Sequence, residues 1–205
     1  MASIPILTEE GELVKSDAPI TLRHLLTHTS GFGYEFTSSR LANFKPDQWE
    51  YEDLPRLFEP GKRWHYGTST DWVGKVVEKL SEQDLETYLR ENITGPLEMQ
   101  STWFNVPDNL KDKIVSWGTR DSIGFNEFDR IPSPTKTFSG GGGLFSSPKD
   151  YLVFLQCILK DGTLNKVKIL TPESIEMMFK NQLPEPMKMN FNLPEGGLPD
   201  TVGRF

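Results

Sequence analysis

The sequence predicts an α+β fold, mostly helical with a few short strands. Three observations predict it. Several segments carry apolar residues at helical spacing behind good capping residues. Short runs such as Thr102-Trp103-Phe104 and Ile114 to Trp117 read as strands. No repeat or low-complexity linker divides residues 1–205, so the chain reads as a single domain or part of one.

Met1 to Pro19 is an extended lead-in. Thr21 can cap a helix from Leu22 to His28 with Leu22, Leu25 and Leu26 on one face, and Ser30-Gly31 stops it. Phe32 to Trp49 is irregular and holds five aromatics, Phe32, Tyr34, Phe36, Phe44 and Trp49. Pro60-Gly61 marks a turn before Trp64-His65-Tyr66. The clearest helix runs from about Thr70 to Leu80, capped by Thr68 or Ser69, with Trp72, Val73, Val76, Val77 and Leu80 at helical spacing. A second, from about Glu82 to Ile93, presents Leu85, Tyr88, Leu89 and Ile93 and stops at Gly95-Pro96.

Residues 118–139 are polar and turn-rich, and the glycines at 140–143 suggest a tight backbone approach leading into a strand. Ser147 followed by Pro148 and Asp150 starts a helix lined by Tyr151, Leu152, Phe154, Leu155, Ile158 and Leu159, with Gly162 ending it. Thr171-Pro172-Glu173 starts another, with Ile175, Met178 and Phe179. Residues 182–205 read as a loop or frayed tail.

Composition narrows the function. Lys and Arg number 22 against 29 Asp and Glu, a net charge of −7, and no basic cluster offers a footprint for nucleic acid. One cysteine, Cys157, excludes an internal disulfide framework and a Cys-based zinc site, and beside Phe154 and Ile158 it reads as a small buried apolar group. No apolar run approaches the roughly 20 residues that span a bilayer, so no membrane contact is expected. Glu9, Glu10, Glu12 and Asp17 are foreign to a signal peptide, which makes a cytoplasmic location the default. No cofactor motif stands out, and oligomeric state is not legible.

Several constellations could carry chemistry. Tyr66, at a corner before a capped helix, could be a general base beside a lysine or an amphipathic aromatic closing a core. His24 and His28 at i, i+4 with His65 could ligate zinc, but Leu25 stands where a zincin needs Glu, and bonds to backbone and loop groups are the simpler reading. Ser133 to Lys136 and Ser146 to Lys149 match Ser-x-x-Lys. Pro134 disfavours a helix in the first, and Pro148 at the first helical position leaves Ser146 outside the second.

Taken together the residues say more. Ile20-Thr21-Leu22-Arg23-His24-Leu25-Leu26-Thr27-His28-Thr29-Ser30-Gly31 resembles a segment of the serine β-lactamase-related (penicillin-binding-protein-like) esterases and acyltransferases. Pro60-Gly61, Trp64-His65-Tyr66-Gly67 and Asp71-Trp72-Val73-Gly74-Lys75 resemble that family's second block. Gly141-Gly142-Gly143-Leu144-Phe145-Ser146 with Asp150-Tyr151 is similar to its third. The order agrees, the likeness covers about 19–179, and within the family it is strongest to the fungal lovastatin acyltransferase group.

The resemblance implies a β-lactamase/transpeptidase-like fold of which this chain holds mostly the helical part and a few strands of an incomplete antiparallel sheet. It also implies chemistry through an acyl-serine: a serine attacks a small-molecule ester, thioester or lactam, a lysine one turn later and a tyrosine move the proton, and backbone N–H groups hold the oxyanion. Tyr66 takes the tyrosine role, and Tyr34 lines the acyl pocket. Thr68 stands where the motif has Asn, which argues against β-lactam hydrolysis.

The family's Ser-x-x-Lys lies upstream of the Ile20 segment, where Ser3 is followed at three by Ile6 and Ser16 by Pro19. Its closing Lys-Thr-Gly or His-x-Gly strand is not matched by Lys136-Thr137-Phe138. The expectation is a fragment from the middle of a longer protein, inactive alone, with apolar surface and strand edges left open. The alternatives are a non-catalytic scaffold that kept the fold, and self-contained catalysis by Ser146 and Lys149.

Overall fold

The computed structural model describes residues 4–44, 54–128, 133–184 and 187. Trp49 and nearly all of the 182–205 tail lie outside that range. The chain divides into two compact units, Met1–Lys75 with Asn181–Phe205 and Val76–Lys180.

In the first unit, β1 (Ile6–Leu7) pairs antiparallel with β2 (Leu13–Val14). Thr21 caps α1 (Leu22–Leu26) as expected: its hydroxyl accepts from the His24 N–H, and the His24 ring accepts from the Thr21 N–H. The helix stops two residues early. The Thr27 hydroxyl turns back to the Arg23 carbonyl, and His28 takes a left-handed φ of 53°. Only Leu25 of the expected apolar face is buried, whereas Leu22 and Leu26 are exposed. The stretch after Gly31 is more regular than its sequence suggests, with a 3₁₀ turn at Glu35–Thr37 and α2 at Ser39–Phe44. Leu7, Leu41, Leu57 and Phe58 form the core, with Phe44 against it. α3 (Ser69–Ser81) begins within a residue of expectation, but its buried positions include Asp71 and Gly74, and Leu80 faces solvent.

In the second unit, Glu82 adopts φ 56°, so the next helix starts late. Asp84 caps α4 (Leu85–Leu89), and one π-helical turn, Arg90–Thr94, completes the segment. Residues 118–139 do not form a continuous irregular stretch. β3 (Trp117–Arg120) and β4 (Phe125–Phe128) make a hairpin whose turn is held by the Asp121 carboxylate, which accepts from the Ile123 and Gly124 N–H groups. Residues 114–116 stay outside the strand. Trp103 and Phe145 form an antiparallel bridge with N–H···O distances of 2.9 Å both ways.

Ser147 caps α5 (Pro148–Leu159) and Thr171 caps α6 (Pro172–Phe179), both with proline in the first turn. Between them β5 (Thr163–Leu164) pairs with β6 (Val167–Lys168). Cys157 is buried with Leu97, Met99 and Leu164, and burial pushes its thiol pKa up. Leu85, Phe104 and Phe138 make a second cluster. The apolar lining expected of the last two helices is only partly buried: Tyr151, Leu152, Leu155 and Leu159 are exposed, as are Met178 and Phe179. α5 turns Cys157 and Ile158 inward with the half-buried Val153 and Phe154, and no described residue covers the other side. The strands form three separate antiparallel pairs among the described residues.

Candidate active site

The residues around Tyr66 come together because two sequence blocks are laced backbone to backbone. The His65 N–H donates to the His28 carbonyl at 2.9 Å, Gly61 N–H to Thr29 at 2.8 Å, and Leu57 N–H to Gly31 at 2.7 Å. Two glycines permit this contact. At Gly31 φ is 95° and a Cβ would lie 2.3 Å from the Phe58 carbonyl oxygen; at Gly67 it would lie 2.4 Å from both the Gly33 Cα and the Phe32 carbonyl oxygen. The corner carrying Tyr66 is therefore locked against the segment carrying Phe32 and Tyr34. Beneath it the Ser30 and Ser69 hydroxyls pair at 2.8 Å, fully buried.

Tyr66 is 40% exposed and sits in an aromatic frame, with His28 at 5.0 Å and Tyr34 at 5.5 Å between ring centroids. Its carbonyl lies 3.0 Å from the Thr37 hydroxyl. Among the described residues no lysine or serine hydrogen-bonds its phenol.

Tyr34 stacks on Phe36 at 4.8 Å and donates its hydroxyl to Asp71 Oδ2 at 2.9 Å. Asp71 is 5% exposed on α3, and Phe32 stacks on Trp72 next to it. Asp71 and the Ser30–Ser69 pair went unassigned in the sequence. The available signal was Asp71 falling in the first turn of the helix that follows Tyr66.

Among the described residues no three His, Cys, Asp or Glu side chains group to hold an ion. His24 is occupied at the α1 cap, and His65 Nε2 bonds the Thr37 hydroxyl at 3.1 Å. Burial pushes all three imidazole pKa values down. At His28 the Asp71 carboxylate pulls the other way; at His65 the positive charges of Arg63, Arg40 and His28 add to the depression.

Ser146 does not engage Lys149. Its hydroxyl meets Thr102 Oγ1 at 2.9 Å instead. Ser133 and Lys136 lie in an exposed segment without helix. Gly142 opens onto empty space and Gly143 has φ 88°, so the glycine run supplies a turn into Phe145 and no close packing at Gly142.

Comparison with known proteins defines the class to which this fold belongs. The chain belongs to the Beta-lactamase family, whose model matches residues 9–198. It is 33% identical over 190 residues to monacolin J acid methylbutanoyltransferase of Aspergillus terreus, covering 84% of this chain and 45% of that protein. It is 29% identical to lovastatin esterase of Penicillium rubens, covering 80% of this chain and 45% of that protein. Among solved structures it is similar to unliganded simvastatin synthase from Aspergillus terreus, with TM-score 0.74 and 30% identity over 91% of this chain and 50% of that one. The chain spans about half the length of these relatives.

Proposed function

We infer that the chain is part of a serine esterase or acyltransferase that works through an acyl-serine intermediate on small-molecule esters or thioesters. Tyr66 would move the proton between the attacking hydroxyl and the leaving group, and Tyr34 would wall the acyl pocket. One observation carries this reading: Tyr66 presents an exposed phenol from a corner locked by Gly67 against Phe32 and Gly33, framed by His28 and Tyr34. A proton-handling group needs such fixed placement and open access. Relatives named for methylbutanoyl transfer and for lovastatin ester cleavage support acyl chemistry, and Thr68 in the motif's third position supports ester over lactam substrates.

The nucleophilic Ser-x-x-Lys lies outside this chain in the proposal, which makes the isolated chain inactive. The family match runs through both compact units, supporting their reading as parts of one domain. The test is fluorophosphonate labelling of the isolated chain and of a longer polypeptide that adds the flanking coding sequence. The expected result is no labelled serine in the first and one, within Ser-x-x-Lys, in the second. Labelling of Ser146 in the isolated chain, or an unlabelled longer polypeptide, overturns the proposal; the latter outcome favours a non-catalytic scaffold.

A further inference from the structure

The second unit holds a cleft of about 940 Å³ that the Tyr66 reading does not use. Its size falls in the range of small-molecule sites, roughly 300–1,000 Å³. Phe104, Leu110, Ile114, Trp117 and Leu144 make apolar walls, and Lys113 is the one charged residue among the described lining. Leu144 is 44% exposed, so aliphatic surface stands open to an occupant. Ser101, Ser146 and Ser147 also line it, as do the hydroxyl residues of the 133–139 segment.

The orientation of one of these hydroxyls is fixed by its partners. The Asp150 carboxylate, 6% exposed in the first turn of α5, accepts from the Ser101 N–H at 2.7 Å and from Thr102 Oγ1 at 2.9 Å. A carboxylate only accepts, and a hydroxyl has one proton. Thr102 thus spends its proton on Asp150 and can only accept from Ser146, whose Oγ lies 2.9 Å away. The competing acceptor for the Ser146 proton, the Ser147 carbonyl, is at 3.4 Å, beyond an ordinary O–H···O bond. The Trp103–Phe145 bridge sets Thr102 and Ser146 opposite each other and holds the chain of bonds in register. Ser146 therefore keeps its free lone pair as an acceptor on the cleft wall.

We propose that this cleft is a binding site for an apolar, uncharged molecule bearing a hydroxyl group, with Ser146 accepting that hydroxyl's proton. The proposal stands apart from the Tyr66 site and would survive its failure. Two aromatic probes of similar shape test it on the 205-residue chain: 2-naphthol, which can donate, and 2-methoxynaphthalene, which cannot. Fluorescence anisotropy should show saturable binding of both, with 2-naphthol tighter by about 3–10-fold, the value of one ordinary hydrogen bond. Ser146→Ala, at an exposed position, should abolish that preference and leave 2-methoxynaphthalene binding unchanged. Leu144→Arg on the wall should weaken both probes together. Absence of saturable binding, equal affinities in the wild type, a preference that survives Ser146→Ala, or indifference to Leu144→Arg each overturns the proposal.

Discussion

The Tyr34 hydroxyl donates to Asp71 Oδ2 at 2.9 Å, joining residues 37 apart in sequence. It ties the aromatic stretch after Gly31 to the first turn of α3, with Tyr66 lying between the two in sequence. Hydrogen bonds to charged groups contribute roughly 1.5–3 kcal/mol. Tyr34→Phe should lower stability by about that much in urea unfolding. The Tyr34→Phe/Asp71→Ala pair should cost less than the sum of the single changes, since each single change already removes this bond.

Gly67 tests the backbone lock. A methyl group there must displace the Gly33 Cα and the Phe32 carbonyl, which are not flexible side-chain ends. Gly67→Ala should destabilise by about 1–3 kcal/mol or more. Gly142→Ala, whose added Cβ meets nothing, should stay within about 0.5 kcal/mol. Thermal denaturation of the two variants side by side reads the difference.

The three histidines set an acid limit. Each has a folded pKa held below its unfolded one, chiefly by burial, so between the two values the unfolded chain binds protons that the folded chain refuses. Their stabilisation is complete above the unfolded value, about 6.5, and is lost as pH falls through it toward the folded values. The urea midpoint should drop between pH 7.5 and 5.5. His28→Asn removes one of these titrating groups and should flatten that slope, and Asn tolerates the left-handed backbone at 28.

Asp150 anchors the second unit locally. Asp150→Ala strips the Ser101 N–H and the Thr102 hydroxyl of their acceptor and should cost about 1–3 kcal/mol. Hydrogen exchange should show the loss first at the Ser101 amide.

The helix starts were legible from sequence because capping is local. Thr21, Ser147 and Thr171 each bond an N–H three residues on, so the signal and its partner lie within one turn. Burial was not legible. Tyr151, Leu152 and Leu155 have the same spacing as buried residues, and only the presence of a cover decides their fate. The hairpin at 117–128 escaped because the Asp121 turn is written in polar residues that read as loop. Tyr66 is singled out only by the family motif, whereas the bonds of Asp71 and Ser69, and the Ser146–Thr102–Asp150 chain, depend on pairings 37 to 48 residues apart that no local pattern records.

The most direct test of the central claim is the pre-steady-state burst of p-nitrophenolate from p-nitrophenyl butyrate. It is measured on a longer polypeptide carrying the flanking coding sequence, as wild type and as Tyr66→Phe. With the nucleophile restored, the wild type should burst, and Tyr66→Phe should acylate slower by about 10²–10⁴-fold with unchanged thermal stability. A variant that acylates at the wild-type rate would contradict the role assigned to Tyr66.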